Sequence, residues 1–353
     1  MKGKNAMVTI YDVAAHAGVS PKTVSRVLNQ ETTVRPKTRL MVEQAIQELG
    51  YIPSSAARIM RSNRSGIIGL ITGAISRSTD NLRAHGLPDM FLVQGAQQAV
   101  VQSGKTLMIA DTDNRLDNVE PLINTFMAHR AEGILYVTEK HQEVVLPSCP
   151  INCPVVLLNC FDQVGTPAIL PDDHYGQYEL VKRIIAAGHQ RIAYLTLPQH
   201  VVATPLRVAG YRQALEEAGI AYRPEWVLEG YPDDHNSSQA LLQAIEQVLA
   251  TQPRPTVLCC GNDEMAMRVY GMLRTRQLRV PEDISVAGYD NYRTIAETLF
   301  PPLTSMELPY TEMGKQAVKI LLQLIEQGSL AKELFLVKGE TIWRESVKPL
   351  NFE

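Results

Sequence analysis

Residues 9–29 read Thr9-Ile10-Tyr11-Asp12-Val13-Ala14-Ala15-His16-Ala17-Gly18-Val19-Ser20-Pro21-Lys22-Thr23-Val24-Ser25-Arg26-Val27-Leu28-Asn29. Their pattern is two short helices joined by a tight turn. Ala14 is small enough to let the second helix cross closely, Gly18 supplies the positive φ that a tight interhelical corner needs, and Val24 fills the angle between the helices. Ser20 caps the second helix, and Pro21 sits in its first turn, where a missing N–H costs nothing. This is a helix-turn-helix pattern. In such a motif the second helix lies in the major groove with its N-terminal residues against base edges. Pro21, Lys22 and Arg26 are therefore the expected readers. Lys22 and Arg26 offer donors only, which suit guanine O6/N7 or phosphate, while Thr23, Ser25 and Asn29 suit phosphate oxygens. The plainer alternative is a helical hairpin that packs on the chain's own core.

The surrounding residues favour the first reading. Pro36 opens a third helix in which Val42, Ala45, Ile46 and Leu49 recur at helical spacing, and Gly50 stands at its stop position. Three helices can close a miniature core. After Tyr51-Ile52-Pro53 comes a basic, helix-permissive segment, residues 54–62, too short to hold a helix alone in water. Residues 1–65 carry ten Lys/Arg and four acids, a balance of +6, and because the whole chain carries −3 the remainder carries −9. A basic head on an acidic body is the asymmetry expected when one part meets phosphate and the other should not.

Residues 9–14, Gly18-Val19-Ser20, residues 23–29 and Gly50-Tyr51-Ile52-Pro53 together resemble the DNA-binding head of the LacI/GalR family of bacterial repressors. The resemblance implies that residues 1–53 are a helix-turn-helix domain and that 54–65 are a hinge helix and linker. In family dimers the hinge enters the minor groove and wedges an apolar side chain into a base step, which kinks the duplex. The implied DNA contacts are Thr9, Tyr11, Ser20, Pro21, Lys22, Thr23, Ser25, Arg26, Asn29, Ala57 and the wedge Met60. Methionine stands there where the family usually has leucine, a more flexible wedge. Arg35, where the family usually has a serine-like cap, weakens the start of the third helix.

From Ser65 onward, short continuous apolar runs alternate with amphipathic stretches. The runs are 67–72, 106–110, 133–137, 155–159, 192–196, 257–260 and 284–287. Runs buried on both faces belong to parallel sheets, and the alternation predicts an α/β body of two doubly wound lobes. The resemblance extends over this body and implies lobes of the periplasmic-binding-protein type over 66–348. The expected N-lobe is about 66–168 with 300–332, and the expected C-lobe about 169–299 with 333–348. The chain is expected to cross between them near 168–172, 292–303 and 328–336.

Composition and motifs exclude several classes. No G-x-G-x-x-G, P-loop, G-x-S-x-G or H-E-x-x-H pattern is present, so an enzyme, a cofactor and a metal are not expected. No signal peptide or membrane-length run is visible, which points to the cytoplasm. Five cysteines, an odd count without paired C-x-x-C spacing and all but Cys149 in or beside apolar runs, suit buried thiols in a reducing compartment. A periplasmic sugar-binding protein would share the body but not the basic head, and an α/β enzyme carrying a regulatory head would share the fold.

Ligands of open α/β sheets sit at the carboxyl ends of the strands. Asn159, Asn262 and Asp290 lie at such ends, and Arg207 opens a helix after the loop 198–206. Arg207-Val208-Ala209-Gly210-Tyr211, Gly261-Asn262-Asp263 and Gly288-Tyr289-Asp290 also resemble the family's sugar-hydroxyl sites. Asp263 is expected to cap its helix. Tyr231, or else Trp226, is the candidate platform under a sugar ring. Gly73, Arg77 and Leu170 complete the expected effector contacts. Asn159 stands where many sugar-binding relatives have Asp. The long loop 76–90 carries Arg77, Asp80, Arg83 and His85, which suit an acidic or phosphorylated sugar if the loop is more than a solvated connection. The effector class is thus a sugar, sugar acid or sugar phosphate. The partner is a pseudo-palindromic double-stranded operator, with half-sites about 34 Å apart, that meets a homodimer. The chain stops at Glu353 without a leucine-heptad tail, so a dimer is expected rather than a tetramer. Effector-dependent order of the hinge is the expected switch.

A steep salt dependence is the first expected outcome. If two heads neutralise about six to ten phosphates, operator affinity falls by about 10³–10⁵ between 50 and 200 mM salt. Anisotropy titrations at several ionic strengths measure this, and a flat profile contradicts the reading.

Overall fold

The computed structural model describes residues 8–52, 64–73, 88–113, 115–231, 238–330 and 333–350. The chain divides into two units between Ser65 and Gly66. The first contains α1 (Ile10–His16), α2 (Pro21–Leu28) and α3 (Pro36–Leu49). Thr9 and Asp12 form a reciprocal capping box at α1, and Ser20 caps α2 by accepting from the Thr23 N–H. Gly18 takes a φ of 67° at the corner, and Gly50 a φ of 60° after α3. Val13, Ala14, Val24, Val27, Val42 and Ala45 form the buried core between the three helices. Arg35 makes no side-chain cap bond, as its chemistry requires.

The second unit holds two six-stranded sheets. Its strands are β1 (Ile67–Thr72), β2 (Thr106–Asp111), β3 (Gly133–Glu143), β4 (Val155–Phe161), β5 (Ala168–Pro171) and β6 (Ile192–Thr196). The remainder are β7 (Val227–Glu229), β8 (Val257–Cys260), β9 (Ser285–Asp290), β10 (Thr304–Glu307), β11 (Leu334–Val337) and β12 (Thr341–Ile342). One sheet runs β11-β5-β4-β3-β1-β2 and the other β12-β10-β9-β8-β6-β7. All pairings are parallel except β10 with β12. The helices are α4 (Pro88–Gln102), α5 (Val119–Ala128), α6 (Asp173–Ala186), α7 (Ala203–Glu217), α8 (Ser238–Ala250), α9 (Asp263–Thr275), α10 (Arg293–Ala296) and α11 (Tyr310–Gln327).

The pairings shift the expected lobe boundaries. β5 pairs with β4, so residues 168–171 belong to the first sheet rather than opening the C-lobe. β10 pairs with β9, which moves 304–307 into the C-lobe, and β11 pairs with β5, which moves 334–337 into the N-lobe. The chain therefore crosses at Asp172, between Glu307 and Tyr310, and between Val337 and Thr341. β10 has little apolar signal. Its Thr304 and Ser305 are nonetheless buried, because their hydroxyls bond to Arg344 O and to the Asp263 carboxylate. Among the described residues no helix is long and apolar enough to cross a membrane, and no cluster of His, Cys, Asp or Glu is placed to hold a metal ion. None of the five cysteines is in a disulfide; Cys160, Cys259 and Cys260 are buried, while Cys149 and Cys153 are half-buried.

α4 and α11 cross over the first sheet at paired glycines. A methyl at Gly95 would overlap the Thr311 carbonyl, and one at Gly314 the Leu92 carbonyl. Gly314→Ala should therefore cost about 1–3 kcal/mol by overpacking. Gly271→Ala on α9, where nothing stands near the added carbon, should instead stabilise by about 0.5–1 kcal/mol. Urea denaturation of both variants tests the contrast, which fails if Gly314→Ala is neutral.

Candidate nucleic-acid interface and interlobe cleft

On the head, Val24 and Val27 face inward, which turns Lys22, Arg26 and Asn29 outward. Thr9, Tyr11 and Ser20 are exposed, and Pro21, Thr23 and Ser25 are half-buried. The helix N-termini present backbone N–H groups beside these residues, a favourable setting for phosphate. Thr9 and Ser20 already act as caps. Thr9 donates through its hydroxyl and its N–H to Asp12 Oδ2, at 2.6 and 2.8 Å. The Thr9 hydroxyl and backbone bonds hold the Asp12 carboxyl below its ordinary range. Arg26 Nε lies 3.6 Å from Glu31 Oε2, and Asn29 is the C-cap of α2. Ala57 and Met60, with the rest of the expected hinge helix, lie outside the described residues.

In the body, parallel strands bring their carboxyl ends to one edge of each sheet. Asn159 lies within β4, two residues before its carboxyl end, with a φ of 62°, and its amide donates to the carbonyls of Thr138 and Glu139 at 3.0 and 3.1 Å. Its Oδ1 is buried with no partner among the described residues, as is Thr196 Oγ1 at the end of β6. Asp290 ends β9 in a left-handed conformation with a φ of 112°. Burial, with the neighbouring Asp263 carboxylate behind it, pushes the Asp290 carboxyl well above its ordinary range.

Arg207 is 4% exposed. Its Nε donates to Asp173 Oδ1 at 2.7 Å, its Nη1 to Gly261 O at 2.9 Å, and its guanidinium lies 3.7 Å from the centre of the Tyr289 ring. The other Asp173 oxygen accepts from His141 Nδ1 at 2.8 Å. Burial alone would raise the Asp173 carboxyl, but Arg207 and His141 outweigh it and hold the group ionised, below its usual range. His141 belongs to β3 of the first sheet, while Asp173 and Arg207 stand on the helices of the second. This bridge was not legible in the sequence, where Asp173 is one of two acids at a helix start.

Three expectations are corrected. Asn262, expected to face a ligand, caps α9, its Oδ1 accepting from the Met265 N–H at 2.8 Å. Asp263, expected to be that cap, is the first helical residue and points inward, accepting from Ser305 Oγ at 2.6 Å and the Tyr292 N–H at 2.7 Å. Burial raises its carboxyl above the ordinary range, with those two bonds opposing. Tyr231 is 1% exposed among Leu241 and Met265, and Trp226 is buried with its Nε1–H on Thr251 Oγ1, so both are core residues rather than platforms. Gly210 of the Arg207 motif serves packing, since an added methyl would overlap the His174 carbonyl of α6. Gly73 is half-buried after β1, and Leu170 is buried at the wall of a hollow of about 480 Å³ beside His141 and Leu206. Arg77 and most of the 76–90 loop lie outside the described residues.

Residues 9–54 match the model of bacterial regulatory proteins of the lacI family, and 181–347 match a periplasmic binding protein-like domain. The HTH-type transcriptional repressor PurR of Vibrio campbellii is 34% identical over 98% of this chain and 100% of its own length. This chain belongs to the LacI family. The Lac repressor dimer bound to operator and the anti-inducer ONPF is 29% identical, with a TM-score of 0.78 over 97% of this chain and 99% of that one. The CelR–cellobiose complex is 28% identical, with a TM-score of 0.62 over 96% and 99%. This LacI-family chain is a DNA-binding transcriptional regulator and not an enzyme, built from the helix-turn-helix head and α/β body read in its sequence.

The Asp290 environment sets a pH expectation. A carboxyl whose folded pKa is raised contributes most stability below its ordinary value of 3.8, and that contribution is lost as pH rises through the elevated value. Asp290→Asn should thus be more stable than the wild type at pH 7, and the difference should vanish near pH 4. Thermal unfolding across this range checks the sign; a variant less stable at pH 7 refutes it.

Proposed function

We propose that the protein is a homodimeric repressor that grips a pseudo-palindromic operator through two helix-turn-helix heads and responds to a small uncharged effector held between its lobes. Support for the DNA half comes from the family membership and from the outward Lys22 and Arg26 on a capped recognition helix. The effector half rests on one observation: the buried, unpartnered Thr196 Oγ1 and the Asp290 carboxyl stand at the carboxyl ends of β6 and β9, and the buried, unpartnered Asn159 Oδ1 lies two residues before that of β4. Vicinal hydroxyls, which donate and accept at once, suit that mixture. The CelR–cellobiose and Lac repressor complexes favour a sugar, while the PurR relatives give reason to include purine bases as the second class.

Occupancy would change the angle between the lobes and alter whether the hinge, residues 54–62, folds on DNA. Coupling of about 1–3 kcal/mol, or about 5- to 150-fold in operator affinity, is the expected scale. A thermal-shift panel of neutral sugars, sugar acids, sugar phosphates and purine bases identifies the ligand, because a compound that binds only the folded state stabilises it. The expected result is one compound that both raises the melting temperature and changes operator affinity; stabilisation without any change in affinity contradicts the switch. Replacement of residues 54–62 by glycine and serine should abolish discrimination between operator and random duplex while the body still melts like the wild type.

A further inference from the structure

An Arg guanidinium in a cleft is ordinarily a seat for a carboxylate or phosphate, which it grips through paired N–H groups. Here the seat is taken. The Asp173 carboxylate lies 2.7 Å from Arg207 Nε, and its second oxygen is held by His141 at 2.8 Å. Asp173 is 1% exposed and is the first residue of α6, so it is delivered to Arg207 by the fold itself rather than by diffusion. A ligand's anion could displace it only by leaving Asp173 buried without its cation, which is strongly unfavourable. Two further cations of the second sheet's layer are engaged: Arg268 Nη2 with Glu264 at 2.8 Å, and Arg344 with Leu303 O and Asn291 Oδ1.

We propose that Asp173 is a specificity-determining residue: it fills the anion seat of Arg207 with the chain's own carboxylate and thereby restricts the cleft to uncharged effectors. Sugar acids and sugar phosphates are excluded. Arg207 keeps its place, with the Gly261 carbonyl and the Tyr289 ring on its remaining faces and its charge balanced by Asp173. This assignment rests on the reading that an effector occupies the interlobe cleft.

The test uses the full chain in a phosphate- and sulfate-free buffer, with inorganic phosphate as the probe. Asp173→Asn should gain a saturable, phosphate-dependent rise in melting temperature that the wild type lacks. The gain should disappear in the Asp173→Asn/Arg207→Met double variant and be absent in Asp173→Glu, which restores the carboxylate. If Asp173→Asn does not fold unaided, its refolding yield against phosphate concentration is the readout, with the double variant as reference. In the wild type, glucuronate and glucose 6-phosphate should give no saturable rise in melting temperature. The proposal is overturned if wild-type protein binds phosphate through Arg207, or if Asp173→Asn gains no anion response. If no neutral compound binds the wild type while Asp173→Asn takes phosphate, the effector reading falls, and with it the role in specificity, while the occupation of the Arg207 anion seat by Asp173 stands.

Discussion

A single buried carboxylate joins the two halves of the body. Asp173 receives His141 from the first sheet on one oxygen and Arg207 from the second on the other. Isolated, any of these groups would be costly to bury; together they satisfy one another, and removal of one partner leaves an uncompensated charge worth several kcal/mol. The pair is thus weak evidence of stability, and what it contributes is a geometric link between the lobes, since the carboxylate serves a partner from each. A switch requires discrete arrangements of that kind rather than a continuously deformable contact.

The rest of the body is arranged around that constraint. Parallel strands direct their polar ends to one edge, and their apolar runs bury against helices whose closest approaches are made at Gly95, Gly314 and Gly210. Three crossings of the chain tie the sheets together, so a change at the strand ends is felt where the chain passes from one sheet to the other. The head follows a different economy. Three short helices bury few side chains, and the Thr9–Asp12 and Ser20–Thr23 caps together with the His16–Glu48 bond at 2.7 Å supply part of the order that a small core cannot.

Much of this was legible in the residues. Gly18, Ala14 and Val24 carry the head because a tight corner and a close crossing admit few alternatives, and the continuous apolar strands of the body announce a parallel sheet. What escaped was polar and non-local. β10 is buried through hydroxyls bonded to distant partners, so its Thr304 and Ser305 read as loop. Asn262 and Asp263 are both good caps by chemistry, and only the position of Ser305, more than forty residues away, decides which turns inward. His141 and Asp173 meet through tertiary geometry that no local pattern reports.

The central claim is that Asp173 transmits between the sheets, and a double-mutant cycle tests it most directly. His141 and Arg207 share that carboxylate, so the stabilities of His141→Ala, Arg207→Met and their combination should be non-additive by about 0.5–3 kcal/mol. Simple additivity within experimental error would contradict the account.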